Sequence, residues 1–474
     1  MQKTKMIFTI GPSSDNEDVL REFIKIGMNV ARLNFSHGTY ETHSEKIKLV
    51  RKLREELNTP TAILLDIKGP KIRTHNFKGG FATLNPKDKF TFICGDEILG
   101  DSTKCSITYK ELCKDIKANS TILVDDGLLE FKVDTIEKNN INCTVITGGI
   151  IKDHKGVNVP NIPIKLPSVT EKDSKDLIFA CSKKVDFVAA SFVRKAEDIL
   201  QVRKILKDNG GEHIKVIAKI ESQEGVDNID SIIDVTDGIM VARGDMGVEI
   251  PIENVPIIQK MIIRKCNKKG KIVITATQML DSMIHNSRPT RAEASDICNA
   301  IFDGTDAIML SGESASGKYP IEAAKTMSKI AKKAEEHLDY DYFLKKLKDL
   351  SEDRSAFADA ISYSASKTAK KLCTKGIVAA TETGSTARLL SKYRPNCPII
   401  AITPYDYVLR SLALNFGVTP IKCNHFSSTD EIIEKARNIA KDLEIAKKND
   451  TILIATGFPS ATSGGTNMLK IEKI

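Results

Sequence analysis

The chain has 474 residues, 41% of them hydrophobic, and carries a formal net charge of +8. Its length predicts two to four domains rather than one; no apolar run reaches the roughly 18 residues of a membrane span and the chain opens into a strand pattern without a signal-peptide core, so neither export nor a membrane is expected. The excess Lys is dispersed along amphipathic helices, Trp is absent and aromatic residues make up 5%, which argues against nucleic acid and for a surface serving anionic metabolites. The ten Cys are scattered without zinc-site spacing, and several, among them Cys94, Cys181 and Cys298, sit in apolar runs; they read as reduced core thiols of a cytoplasmic protein.

In chain order, short β-branched runs at 6–10, 29–35, 62–67, 187–191, 215–220, 238–242, 271–277 and 306–311 alternate with helical patterns such as 16–26, 44–57, 196–207 and 291–302. Near-continuous apolar strands separated by helices indicate a parallel sheet, and eight such units indicate a (β/α)8 TIM barrel. The spacing breaks between 67 and 187. There the pattern turns to alternation and turn signals, at 89–94, 121–124, 128–136 and 141–146, so a small β-barrel domain inserted after the third strand is expected, overhanging the C-terminal mouth as a lid. Farther on, helices at 357–372, 385–393, 407–416 and 429–443 alternate with strands at 376–381, 398–403, 419–423 and 451–456, the pattern of a doubly wound α/β domain. The expected boundaries are 1–70 with 167–344 for the barrel, 71–166 for the lid and 345–474 for a C-terminal regulatory domain.

Alternate residues of a strand share a face. Lys219 and Glu221, at the end of the fifth strand, therefore project together, and Asp245 after the sixth can close on the same hard cation. A divalent ion beside a fixed ammonium suits phosphoryl transfer. Either fragment alone also reads as a Lys–Glu pair on a solvated strand end plus a turn Asp. Convergence decides: Arg32, Asn34 and Ser36 alternate out of the second strand, Asp66 ends the third, Thr277 the seventh and Ser311 the eighth, all toward one mouth.

The segment VIAKIESQEG, from Val216 to Gly225, resembles the active-site signature of the pyruvate kinase family. It is joined by NVARLNFSHG from Asn29, LDIKGP from Leu65, VARGDMG from Val241, TATQML from Thr275, RPTRAE from Arg288 and MLSGE from Met309. The resemblance runs the length of the chain. It implies transfer of the phosphoryl group of phosphoenolpyruvate to ADP, giving pyruvate and ATP, in a homotetramer, and, with the chain stopping at Ile474, no extra phosphohistidine-type domain. It implies that Glu221 and Asp245 ligate Mg2+ or Mn2+, that Lys219 stabilises the migrating phosphoryl group and the enolate, and that Arg32, with Arg73 at the hinge, offers a planar fork to the phosphate. Gly244, Asp245 and the two residues after them would open a short helix whose N–H groups hold the substrate carboxylate. Thr277 would orient a water or relay the proton that ketonises enolpyruvate; it and Ser311 also read as helix caps. Asn34, His37 and Arg73 would border the nucleotide, which Lys155 and Asp126 would reach when the lid closes.

Two positions depart from the family's potassium-requiring members, in which a Glu stands where this chain has Lys71 and commonly a Thr where it has Ile67. Asn34, Ser36, Asp66 and Ile67 could still form a monovalent-cation pocket, yet the Lys71 ammonium could take the same electrostatic role and make K+ dispensable. In the C-terminal domain, Thr381, Thr383, Gly384, Ser385 and Thr386 join a strand to a helix and suit a phosphate, an ordinary N-cap by Ser385 being the alternative. Family members activated by fructose 1,6-bisphosphate often carry Lys where Glu382 stands, so an allosteric effector with one phosphate is expected, beneath a flap at 457–467. Two other functions compete. A Mg-dependent aldolase or lyase of the phosphoenolpyruvate/pyruvate barrel class would need neither Lys219 nor the lid, and a non-catalytic metabolite sensor would have lost a ligand.

Overall fold

A computed structural model describes the chain except residues 161, 163, 351–356 and 458–464 and the side chains of 346 and 348–350. Eight strands, Lys5–Thr9, Val30–Asn34, Ala62–Asp66, Phe187–Ala190, Lys215–Ile220, Gly238–Ala242, Ile272–Ala276 and Ala307–Leu310, pair in sequence order and close into a parallel barrel. The last strand meets the first with Lys5 opposite Ala307. Both faces of these strands are buried, which is why their sequences are apolar throughout. Ile7, Val30, Leu64, Ile217, Met240, Ile274 and Met309 fill the barrel interior. Their neighbours one residue along, such as Phe8, Ala31, Leu65, Val216 and Val241, face the surrounding helices. The helix Tyr40–Glu56 begins earlier than its apolar pattern suggests because Thr39 and Thr42 form a reciprocal cap, each side chain bonding the other's backbone N–H.

The inserted segment builds a seven-stranded sheet in the order Ile72–Arg73, Gly156–Asn158, Thr121–Val124, Leu129–Glu137, Asn140–Thr147, Lys89–Cys94, Lys104–Ile107, with a two-stranded sheet of Phe81–Leu84 and Gly149–Lys152 beside it. The sheet curls on itself through one bridge, Thr74 to Ile107. Phe90, Phe92 and Phe131 interlock in its core with centroids 5.0 to 5.4 Å apart. Cys94 and Cys113 are joined as a disulfide, Cα atoms 6.2 Å apart, which corrects the expectation that all ten cysteines are free thiols. The strand Lys89–Cys94 and the one-turn helix Leu112–Asp115 bring together two residues that spacing alone did not connect.

The C-terminal sheet has the order Val418–Lys422, Ile399–Thr403, Ile377–Ala380, Thr451–Thr456, Met468–Lys473, the last strand antiparallel. That last strand carries no distinct alternation and was not foreseen. The helix expected at 407–416 is shorter, Asp406–Ser411, and the helix Tyr340–Leu350 runs across the position expected to separate the domains. This domain holds the barrel from below. Lys5 Nζ donates to the Val418 carbonyl at 2.6 Å, Arg410 Nε to Asp186 Oδ1 at 2.6 Å, and Arg394 Nη2 to Asp306 Oδ1 at 2.8 Å. Ala413 and Leu414 complete the cluster that fills the barrel interior. Among the described residues no helix is long and apolar enough to cross a membrane.

Candidate active site

Lys219 lies at the centre of the barrel mouth. Its ammonium donates to Ser191 Oγ at 2.7 Å and stands 3.1 Å from Glu221 Oε1 and 3.4 Å from Asp66 Oδ1. Burial works against its charge, but the Asp66 and Glu221 carboxylates outweigh it and hold Lys219 above the ordinary lysine range. Arg32, 8% exposed, donates through Nε to Asp66 Oδ2 and through Nη1 to Thr9 Oγ1, each at 2.8 Å. Burial would raise Asp66, yet Lys219 and Arg32 keep its carboxyl below the usual range, so it stays an anion between two cations.

Glu221 accepts from the Phe192 N–H at 2.6 Å through Oε2, while the buried Oε1 faces the Lys219 ammonium at 3.1 Å. Burial and the nearby Asp245 push its carboxyl up, against the pull of Lys219. A buried carboxylate oxygen paired with an ammonium and close to a second carboxylate fits a hard divalent ion. No group of three or more His, Cys, Asp or Glu suited to a metal occurs among the described residues, so such an ion would draw its other ligands from substrate and water.

Two consecutive residues at the end of the seventh strand, Thr277 and Gln278, are left-handed, with φ of 67° and 52°. For a β-branched residue this is a true outlier. The turn is braced: Arg243 donates through Nη2 to the Thr277 carbonyl at 2.7 Å and through Nε to that of Ala276 at 3.3 Å, while Nη1 reaches both oxygens of Asp296 at 2.8 and 2.6 Å. So held, Thr277 Oγ1 accepts the Gly244 N–H at 2.8 Å, at the start of the helix Arg243–Glu249. One of the N–H groups assigned to a substrate carboxylate is therefore already used, and Thr277 bonds a helix that precedes it in the chain, not the following one that a cap would serve. Ser311 precedes the helix Gly312–Ala315 but makes no side-chain cap bond; its Oγ is buried without a partner.

The lid meets the mouth through Lys71. Its ammonium bonds Asp245 Oδ1 at 3.1 Å and Asp126 Oδ1 at 3.2 Å, linking barrel and lid. Burial would lower Lys71, but Asp245 and then Asp126 raise it above the ordinary value. Asp126 follows Asp125 in a second left-handed pair, φ 53° and 56°. Lys155 Nζ is taken by Asp125 Oδ1 at 2.8 Å, and Arg73 Nη1 donates to the His154 carbonyl at 2.8 Å while its Nε is buried without a partner, so both side chains are held by lid groups.

The oxygens proposed for a monovalent cation are largely engaged. Asp66 is held by Arg32 and Lys219, the Ile67 carbonyl accepts from Ser191 Oγ at 2.7 Å, and Asn34 Oδ1 accepts the Ser36 N–H at 3.0 Å. Ser36 and His37 are exposed beside them. In the C-terminal domain the helix Ser385–Lys392 is capped by Gly384, φ 82°, not by Ser385. Thr381 Oγ1 accepts the Gly384 N–H, Thr383 Oγ1 bonds Ser385 Oγ, and Thr386 Oγ1 meets Thr466 Oγ1 at 2.7 Å. Glu382 is exposed, and Arg388 donates to the Thr383 carbonyl from beneath the loop. Most of the expected flap, 458–464, lies outside the described residues.

Ser191, Thr9, Arg243 and Asp296 were missed as site residues. The rule that selected Thr277 and Ser311, a hydroxyl at a strand end, would have selected Ser191 and Thr9 as well. Nothing in the spacing couples Arg243 to Asp296.

Family models described as "Pyruvate kinase, barrel domain" and "Pyruvate kinase, alpha/beta domain" match residues 1–324 and 359–472. The pyruvate kinase of Clostridium perfringens is 73% identical over 474 residues and that of Clostridium acetobutylicum 57% over 474, each covering all of both chains. That of Staphylococcus saprophyticus is 50% identical, covering all of this chain and 81% of its own. A crystal structure of a pyruvate kinase from Cryptosporidium parvum matches with a TM-score of 0.95 at 39% identity, covering 100% of this chain and 96% of that one.

Proposed function

The chain belongs to the pyruvate kinase family, and from that premise we infer how its barrel mouth moves the phosphoryl group of phosphoenolpyruvate to ADP, giving pyruvate and ATP. The observation that carries the reading is the buried Lys219 ammonium, fixed between Asp66 and Glu221 with the Arg32 guanidinium behind Asp66. Two preorganised cations in a water-poor mouth act where negative charge develops, on the migrating phosphoryl group and on the enolate oxygen left behind. Arg32 keeps Nη protons beyond those given to Asp66 and Thr9, and these suit the phosphate edge. Glu221 and Asp245 would hold Mg2+ or Mn2+, which when bound would supply Lewis-acid stabilisation of the substrate's negative charge. Lys71 bonds only Oδ1 of Asp245, which leaves Oδ2 for such an ion, so the ion and the Lys71 tether to the lid would share one carboxylate.

Thr277 would hold the proton path to C3 of enolpyruvate, directly or through a water, with its hydroxyl set by Gly244 and its backbone by Arg243. Ser311 Oγ, buried and unpartnered at the end of the next strand, is a second candidate donor. Lys71 stands in for the monovalent cation, since it brings a tethered charge to Asp245 while the other cation ligands are engaged. Asn34 and His37 border the nucleotide. Lys155, Asp126 and Arg73 would have to exchange their present partners to reach it.

The Thr381 to Thr386 loop leaves the sheet where strand order reverses, the place where open α/β sheets bind ligands, and an effector with one phosphate suits its hydroxyls better than a bisphosphate facing Glu382. A homotetramer and a cytoplasmic setting complete the reading. Pyruvate formation from phosphoenolpyruvate, ADP and Mg2+ tests the activity, and its absence would refute it. Titration with AMP, ribose 5-phosphate, glucose 6-phosphate and fructose 1,6-bisphosphate at sub-saturating phosphoenolpyruvate tests the effector. Activation by the bisphosphate alone, or monophosphate activation surviving Ser385→Asp, contradicts the assignment.

A further inference from the structure

A cavity of about 380 Å3 opens where the lid is hinged, between Ile72, Asn158 and Ile164 on the lid's two chain crossings and Arg194, Asp227 and Glu249 on the barrel, the last two at helix ends. Its size suits a small organic molecule. None of Lys219, Glu221, Asp245, Arg32 or Thr277 lines it. One wall is apolar, formed by Ile72, Ile162, Ile164 and Leu166.

The opposite wall is short of donors. Asn158, 4% exposed, gives its Nδ2 to Glu249 Oε1 at 2.6 Å and leaves Oδ1 buried with no partner. Burial pushes the Glu249 carboxyl up, with Asn158 and the nearby Lys71 charge only partly compensating. Glu224 and Asp227 add two carboxylates, the second already bonded to Gln223. The cations at the rim are committed elsewhere: Lys71 to Asp126 and Asp245, and the Arg194 Nη atoms to the carbonyls of Ile164 and Leu166. Arg194 Nε, also buried without a partner, is one unmatched donor against several acceptors.

We propose that this hinge cavity binds a small primary ammonium with an apolar body, bonded to Asn158 Oδ1 and the Glu249 carboxylate. An unpaired buried acceptor and an under-compensated carboxylate are the groups such a ligand satisfies, and its body covers the isoleucine wall. The occupant would act on turnover. Asn158 belongs to the lid, whereas Glu249 ends the helix that carries Asp245 near its start, so a ligand gripping both fixes the lid against the element that bears a metal ligand. Each turnover needs the lid to move; occupancy lowers kcat and leaves phosphoenolpyruvate binding alone.

The test uses the full-length enzyme and three probes of one size: benzylammonium, benzyl alcohol and phenylacetate, followed by ligand-observed NMR and by steady-state kinetics. Benzylammonium should saturate the protein at millimolar concentration, about tenfold or more tighter than the other two, a difference of about 1.4 kcal/mol. It should depress kcat without raising KM for phosphoenolpyruvate. Ile164→Trp, which fills the cavity, should abolish saturation and inhibition alike, and Glu249→Gln should weaken both if the first variant fails to fold. Equal binding of the three probes, no saturation by benzylammonium, inhibition relieved by phosphoenolpyruvate, or saturation surviving both substitutions overturns the proposal.

Discussion

Arg243→Met removes the brace of the Thr277–Gln278 turn without touching the hydroxyl. Each left-handed non-glycine residue costs about 1–3 kcal/mol, so the pair stores about 2–6 kcal/mol. The brace is of matching size: a charge-assisted hydrogen bond is worth about 1.5–3 kcal/mol, and Arg243 makes at least two, to Asp296 and to the Thr277 carbonyl. Strain and brace therefore nearly cancel. Deleting the guanidinium lets the turn relax and carries Thr277 Oγ1 away from the Gly244 N–H, and a displacement of about 1 Å at a reacting group costs on the order of 10²-fold in rate. Turnover and the incorporation of solvent deuterium at the pyruvate methyl should fall together, with KM for phosphoenolpyruvate moving less. Asp296→Asn, which keeps a hydrogen bond but loses the ion pair, should give an intermediate loss. An Arg243→Met enzyme that folds, keeps kcat within about threefold of the native value and exchanges deuterium at the native rate would refute the brace.

Lys219→Ala should lower kcat by roughly 10² to 10³ with a smaller change in substrate binding, because the ammonium acts on charge that develops during transfer; a change under about fivefold would remove it from that role. Glu221→Gln and Asp245→Asn should each raise the Mg2+ concentration needed for half activity, and an unmoved titration would take them out of the coordination shell. Activity should persist in tetramethylammonium chloride, and Lys71→Glu should introduce a response to K+; a native enzyme inert without potassium contradicts this. Burial pushes Asp306 up to about 6 despite Arg394. A folded pKa above the ordinary 3.8 stabilises the native state fully below about pH 4 and loses that contribution as pH rises through 6, a swing of about 3 kcal/mol that Asp306→Asn should abolish in pH-dependent melts.

The barrel was legible because all eight strands are apolar on both faces and because patterned helices separate them, a parallel-sheet repeat whose count of eight matches a closed barrel. Lys219, Glu221 and Arg32 were legible through strand alternation, which fixes direction without any knowledge of packing. Features set by long-range contact were not. Cys94 and Cys113 meet only through the lid's fold, Arg243 reaches Asp296 across two helices, and Arg73 and Lys155 read as mouth cations although neighbouring lid groups take them. The alternative of a cap by Ser385 rested on hydroxyls being common caps, while the left-handed turn at Gly384 asks for a residue without Cβ. The closing strand Met468–Lys473 escaped notice because its two faces differ little in polarity.

The grip of the C-terminal domain on the barrel floor has a consequence for what counts as a module. Lys5, Asp186 and Asp306 stand at the starts of the first, fourth and eighth strands, and each is held from the other domain, while Ala413 and Leu414 supply the lowest layer of the barrel's own interior. Cutting the chain between the two halves would open that interior to water and strand three buried charges. The barrel is thus not a self-sufficient fold to which a second domain has been appended. It is a vessel whose base is made from the C-terminal domain, on which its strand starts rest.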